Sequence, residues 1–206
     1  MPLLEKEVTA TRAWGLWKIE ETEVSLHQLV ESESIPGEIT HPEKRLEFLA
    51  VRALVKNLLL EWGLGFEGLT KNQYGKPFIK NSSHHVSLSH SYPFVTAILD
   101  TEKNVGIDLE HSKAKLLNIV PRMLHATELT DAESDITKLC VYWCAKEAML
   151  KVYGKKDLIF AENLLVKPFI LQEKGNLVGR IIVKGSETTL SLHYQLFKDF
   201  AIVYNQ

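Results

Sequence analysis

The chain has 206 residues, 24 lysines and arginines against 26 aspartates and glutamates, a formal charge of −2 and 45% apolar residues. A chain of that length can bury a real core, as one large domain or as two small halves packed together. Its charge balance argues against a general nucleic-acid binder, which needs a basic domain or stripe to neutralise phosphates, and no segment approaches the roughly 18 apolar residues of a membrane span.

The opening Met1-Pro2-Leu3-Leu4-Glu5-Lys6-Glu7 is acidic and has no signal-peptide pattern, so a soluble cytoplasmic protein is expected. Residues 11–19 favour a strand, and a short helix is expected from Thr22, its N-cap, to about Ser32. The polar run 31–40, with its Pro36-Gly37 turn, reads as a loop. His41-Pro42-Glu43 then opens the strongest helical pattern in the chain, from about Pro42 to Trp62 and stopped by Gly63. Leu46, Leu49, Ala53, Val55 and Leu58 give that helix a buried side, whereas Arg45, Arg52 and Lys56 fall within about 40° of one another on a different side. Such a basic stripe is ordinarily a solvated face; with independent support it becomes an anion site. Further on, Gly75 and Pro77 bracket Lys76 in a turn whose backbone amides and ammonium suit a phosphate.

Segments 84–89, 94–99 and 105–110 read as a three-strand meander. A polar, helix-prone stretch follows through residues 115–125, a helix starts near Thr127, and another runs from about Ile136 to Tyr153, closed by Gly154. Cys140 and Cys144 fall four apart in that helix, where neither a disulfide framework nor a CxxC metal pattern fits, and they read as core thiols. The tail is strand-like over 164–171, 177–184, 188–197 and 200–204. Val86-Ser87-Leu88-Ser89-His90 and Leu190-Ser191-Leu192-His193-Tyr194 each precede a second apolar strand. This faint self-similarity suggests two related α+β halves, residues 1–100 and 101–206, with an active site between them.

Three stretches carry chemistry. In Val105–Glu110 the odd positions are apolar, while Asp108 and Glu110 share the other face of a strand, about 7 Å apart. Neighbouring carboxylates repel, so either one is protonated or a cation sits between them. Only hard oxygen ligands are offered and no zinc-type His/Cys spacing occurs, which points to Mg²⁺ or Mn²⁺; the alternative is a strand running into solvent with two exposed acids. His90 ends the strand Val86–Ser91 between two serines, where ring and hydroxyls can donate to phosphate, although a lone histidine is more often structural. In Trp143–Lys151, Val141, Ala145, Ala148 and Val152 share one helical face, while Trp143, Glu147 and Lys151 stack along another. A helix apolar on most sides is buried, so its carboxylate and ammonium need partners. Taken alone, Glu147 and Lys151 read as an ordinary i,i+4 salt bridge.

In order along the chain, Gln73-Tyr74-Gly75-Lys76-Pro77, Val86-Ser87-Leu88-Ser89-His90-Ser91, Val105-Gly106-Ile107-Asp108-Leu109-Glu110 and Trp143–Lys151 form a GKP turn, an SHS strand end, a GIDxE strand and a WxxKExxxK helix. That succession resembles the 4′-phosphopantetheinyl transferase superfamily, Sfp type, in its two-half, single-chain form. The resemblance implies an α+β fold of two similar subdomains, each a helix packed on antiparallel strands, related by a pseudo-two-fold with the active site between them. It implies a monomeric, Mg²⁺-dependent enzyme that transfers the phosphopantetheine arm of coenzyme A to a serine of an apo acyl or peptidyl carrier protein and releases 3′,5′-ADP. By residue, Asp108, Glu110 and Glu147 match the metal ligands. Glu147 also matches the carboxylate that activates the serine, and Lys151 the lysine on the transferring phosphate. Gly75, Lys76, Pro77, Ser89 and His90 match coenzyme-binding positions, and Arg45 and Arg52 are assigned to the same role. Carrier proteins are commonly acidic, so Lys113, Lys115 and Arg122 are the expected docking surface. Two other classes stay open on residues alone: a different Mg²⁺-dependent phosphoryl or nucleotidyl transferase, and a non-catalytic carrier-binding module on the same fold.

Overall fold

In the computed structural model, which describes residues 3–31 and 33–206, the chain forms two units, Met1–Val105 and Gly106–Gln206. The first begins with a hairpin that was not expected from the acidic opening, β1 (Leu3–Val8) paired antiparallel with β2 (Arg12–Lys18). Next comes α1 (Glu23–Leu29), whose Thr22 side chain accepts from Ser25 N in a capping box; Ser32, where this helix was expected to end, lies outside the described residues. The long helix α2 runs Pro42–Glu61 with proline in its first turn, where a missing N–H costs nothing. A small hairpin of β3 (Leu69–Lys71) and β4 (Pro77–Ile79) follows, then β5 (His85–Ser91) and β6 (Phe94–Asp100). The main sheet has the order β1-β2-β6-β5 and is antiparallel throughout. Helix α2 covers it, with Leu49, Leu54 and Leu58 packed among Trp17, Val95, Ala97 and Leu99.

The second unit opens with β7 (Ile107–His111), then α3 (Leu116–Ile119), a short turn of 3₁₀ helix at Val120–Met123 and α4 (Ala126–Ala132). Helix α5 (Ile136–Tyr153) is capped by the Asp135 side chain and ends at Gly154. After α6 (Phe160–Asn163) come β8 (Leu164–Val166), β9 (Lys174–Val183), β10 (Ser186–Leu196) and β11 (Phe200–Asn205). These form a five-stranded antiparallel sheet of order β7-β11-β10-β9-β8, with α5 packed on it. Both units are thus α+β, a long helix on an antiparallel sheet. As expected of a helix apolar on most sides, α5 is covered nearly all round, and Cys140 and Cys144 are free, buried thiols.

The expected meander of three strands is corrected in one respect. Strands β5 and β6 pair, but β7 leaves their sheet and becomes the edge of the other, beside β11. Asp100 makes the difference: its Oδ1 accepts from Glu102 N at 2.8 Å and Lys103 N at 2.7 Å, which closes a tight turn instead of a hairpin. The chain then enters Gly106, whose N donates to Asn205 Oδ1 at 2.8 Å. A Cβ at Gly106 would stand 1.9 Å from Ala148 O, so only glycine lets β7 pass this close to the backbone of α5. Among the described residues no helix is long and apolar enough to cross a membrane.

Candidate functional site

Strand β7 and helix α5 bring the acidic residues of the second unit together. Asp108 is buried and Glu110 half-buried, each on alternate positions of β7 opposite Val203 and Ala201 of β11. On α5, Trp143, Glu147 and Lys151 lie along the partly exposed row, and Trp143 stacks on Phe160 at 5.6 Å. The ion pair of Lys151 crosses to β7: its Nζ reaches Asp108 Oδ1 at 2.7 Å and also donates to Ile107 O at 2.8 Å. An ammonium tied to a strand in this way has a fixed position, unlike the free end of a surface lysine.

The electrostatics show how close the acids stand. Burial first, and Asp108 second, push the Glu147 carboxyl up to about 7, with Glu110 adding to the effect and Lys151 opposing it. Glu110 is likewise raised, by burial and then by Asp108, against the opposing charges of Lys115, His111 and Lys151. Carboxylates that drive one another toward protonation are the donor set a hard divalent cation satisfies, and in chemistry the three residues fit Mg²⁺ or Mn²⁺. Their side chains do not close into a shell: among the described residues no group of three or more His, Cys, Asp or Glu is arranged to hold a metal ion.

The coenzyme positions assigned from sequence lie in the first unit. Asn72 Oδ1 accepts from Tyr74 N at 2.9 Å and Lys76 N at 3.0 Å, and Gly75 takes a left-handed φ of 86°, so the β3–β4 loop is built around Lys76. Lys76 Nζ is half-buried, 3.1 Å from Asn104 Oδ1, and burial lowers its pKa. Pro77 starts β4, Ser89 is buried on β5, and His90 beside it points its Nδ1 at Glu47 Oε2, 3.1 Å away.

The basic stripe of α2 is real but faces inward. Arg45 holds Glu23 of α1 through two nitrogens, Nε at 2.8 Å. Arg52 is buried against Glu33 at 3.1 Å, with its guanidinium 3.3 Å above the Phe48 ring, and Lys56 donates to Leu29 O. All three cations are engaged in seating α1 and the loop after it on α2.

A buried carboxylate, Glu47, and a buried ion pair, Lys146–Glu128, escaped the sequence reading. Glu47 stands three, four and seven residues before Ala50, Val51 and Leu54, on the core row of α2, and that position among apolar residues was the available signal. Lys146, within the WxxKExxxK helix, is 0% exposed and meets Glu128, 1% exposed, at 2.7 Å. Its Nζ also donates to Phe160 O and Leu164 O, while Glu128 accepts from His125 N and Val166 N.

An α+β unit that presents hard carboxylate oxygens beside a fixed ammonium defines a protein suited to binding phosphate groups through a cation. Residues 104–204, which contain this arrangement, match the family model of the 4′-phosphopantetheinyl transferase superfamily. The segment 104–204, nearly the whole of the second unit, belongs to that superfamily. It is 30% identical over 120 residues to a 4′-phosphopantetheinyl transferase of Bacillus subtilis, which covers 52% of this chain and 53% of the relative. Over 90 residues it is also 30% identical to the 4′-phosphopantetheinyl transferase gsp of Aneurinibacillus migulanus, 41% of this chain and 37% of that protein. The chain therefore matches about half the length of the first relative and less of the second.

Proposed function

We propose that this protein transfers the 4′-phosphopantetheine group of coenzyme A to a serine of an apo acyl or peptidyl carrier protein, in a Mg²⁺-dependent reaction that releases 3′,5′-ADP. The observation that carries the reading is the assembly of Asp108, Glu110, Glu147 and Lys151 on β7 and α5 within the segment that matches the family. In the transfer, the serine oxygen bonds to phosphorus as the bridging P–O bond to 3′,5′-ADP breaks, and the serine proton must go to a base. Glu147, half-buried on α5 one turn before Lys151, is the carboxylate assigned to take it. Lys151, anchored by Asp108 and Ile107 O, supplies a fixed positive charge for the phosphate oxygens. Asp108, Glu110 and Glu147 would hold the metal ion, Mg²⁺ or in its place Mn²⁺, which when bound neutralises charge on the pyrophosphate. Lys76, Ser89 and His90 are the coenzyme-binding set, with Gly75 and Pro77 shaping the turn that presents Lys76.

For the carrier, the surface offered by α3 and the following turn is basic and apolar together: Lys113, Lys115 and Arg122 are exposed, as are Leu117 and Ile119. An acidic, partly apolar partner is complementary to it. The deciding experiment incubates the protein with Mg²⁺, coenzyme A and apo carriers of fatty acid, polyketide and peptide synthesis. Mass spectrometry then shows a carrier heavier by one phosphopantetheine, with 3′,5′-ADP as the small product. No mass gain on any carrier, or release of inorganic phosphate instead, overturns the reading.

A further inference from the structure

Glu47 on α2 is 1% exposed and has both oxygens committed. Its Oε1 accepts from Tyr92 N at 2.9 Å, which stops the carboxylate from turning, and its Oε2 faces Lys44 Nζ at 2.6 Å and His90 Nδ1 at 3.1 Å. Burial works to raise this carboxyl, but His90 and Lys44 outweigh it and hold it below the usual carboxylate range. An ionised carboxylate has no proton to donate, so the hydrogen between Glu47 and His90 sits on Nδ1. The two elements that set the contact are rigid, a helix of 20 residues and a strand paired along its length with β6. The imidazole, on a side chain 45% exposed, is therefore held with Nδ1 inward and Nε2 toward solvent.

We propose that Glu47 is a positioning residue for His90: it fixes the Nδ1–H form of the ring and presents Nε2 as the nitrogen that meets a ligand phosphate. With Nδ1 occupied, Nε2 donates when the ring is an imidazolium, and Glu47 then stands as its counter-charge. A carboxylate behind a histidine that fixes its tautomer and orientation is the arrangement by which outer residues tune ligand-binding histidines generally. The identity of the phosphate, that of coenzyme A, rests on the transferase reading; the orientation of His90 does not.

The test begins with the wild-type protein labelled with ¹⁵N-histidine, free of coenzyme A and at alkaline pH. Long-range ¹H–¹⁵N correlation, with the His90 signals assigned by their loss in His90→Gln, shows the Nδ1–H pattern. In Glu47→Gln the side-chain amide can donate to Nδ1, and the pattern changes to Nε2–H. The same variant raises KM for coenzyme A by roughly tenfold with little change in kcat, and it adds nothing further in the His90→Gln background. An Nε2–H pattern in the wild type overturns the proposal without needing a variant that folds. So does an equal KM increase for Glu47→Gln with and without His90. A wild-type protein that modifies no carrier sinks the transferase reading alone, and the ring pattern still decides the role of Glu47.

Discussion

At the level of single residues, the chemistry turns on carboxylates moved away from their ordinary behaviour in opposite directions. Glu47 and Asp100 are lowered because donors meet them: for Asp100, burial is outweighed by the N–H groups of Lys103 and Glu102 and by Arg12. Glu147 is raised because burial and Asp108 outweigh Lys151. A raised carboxyl has a definite thermodynamic sign. Between its ordinary value of 4.5 and about 7, folded Glu147 holds a proton that the unfolded chain releases, so its contribution is fully present below about 4.5 and is lost as pH rises through 7. In chelator, Glu147→Gln is therefore expected to unfold at higher denaturant than wild type at pH 8, by on the order of 1–3 kcal/mol, and to match it at pH 4. The same substitution, and Asp108→Ala, abolish carrier modification; retained turnover in either rejects the roles assigned to them. The sequence marked all four of Asp108, Glu110, Glu147 and Lys151, because charges on a strand edge and on an otherwise apolar helix are conspicuous against their neighbours. It did not find the anchor of Lys151: taken alone, a spacing of four suggested Glu147, the full set of motifs separated the two into a base and a phosphate-binding lysine, and the ammonium crosses to Asp108, 43 residues away.

At the level of elements, β7 is held against α5 by a glycine and by hydrogen bonds from both sides. Gly106→Ala forces a methyl to within 1.9 Å of Ala148 O unless the strand shifts. The expected result is a loss of a few kcal/mol in denaturant unfolding, with carrier modification falling further than stability because Asp108 and Glu110 move with the strand. The buried Lys146–Glu128 pair ties α5 to the start of α4 and to the chain around β8. Lys146→Met leaves a carboxylate buried without its counter-charge and is expected to cost about 3–5 kcal/mol. Glu128→Gln added to it keeps an acceptor for the backbone donors and recovers much of that loss; no recovery would show that the charge was not the cause. Local signals placed the long helices well, α2 through its proline and apolar periodicity and α5 through its terminal glycine. They missed β1, whose six residues alternate too weakly against an acidic background to stand out.

At the level of the whole molecule, each unit repeats one plan, a long helix on an antiparallel sheet, and the residues with proposed roles are divided between them: Lys76, Ser89 and His90 in one, the acidic cluster and Lys151 in the other. The exposed cations of the α3 region give a test at this scale. Reversing Lys113, Lys115 and Arg122 to glutamate should raise KM for the carrier severalfold, more at low salt than at high, and leave coenzyme A binding unchanged. An unchanged KM for the carrier removes that surface from the reading. By itself the sequence determined the α+β class, the two long helices, the paired strands and the acidic residues, because periodicity, caps and isolated charges are properties of neighbours along the chain. Only the tertiary structure decided that β7 leaves the first sheet for the second, that Arg52 is spent on Glu33, that Lys151 belongs to Asp108 and that Glu47 stands behind His90. The side-chain pairings join residues 19 to 43 positions apart and the strand pairing residues 89 to 97 apart; the free energy that selects the charged pairs comes from burying charge with its partner, a condition that exists only once the chain has closed around it.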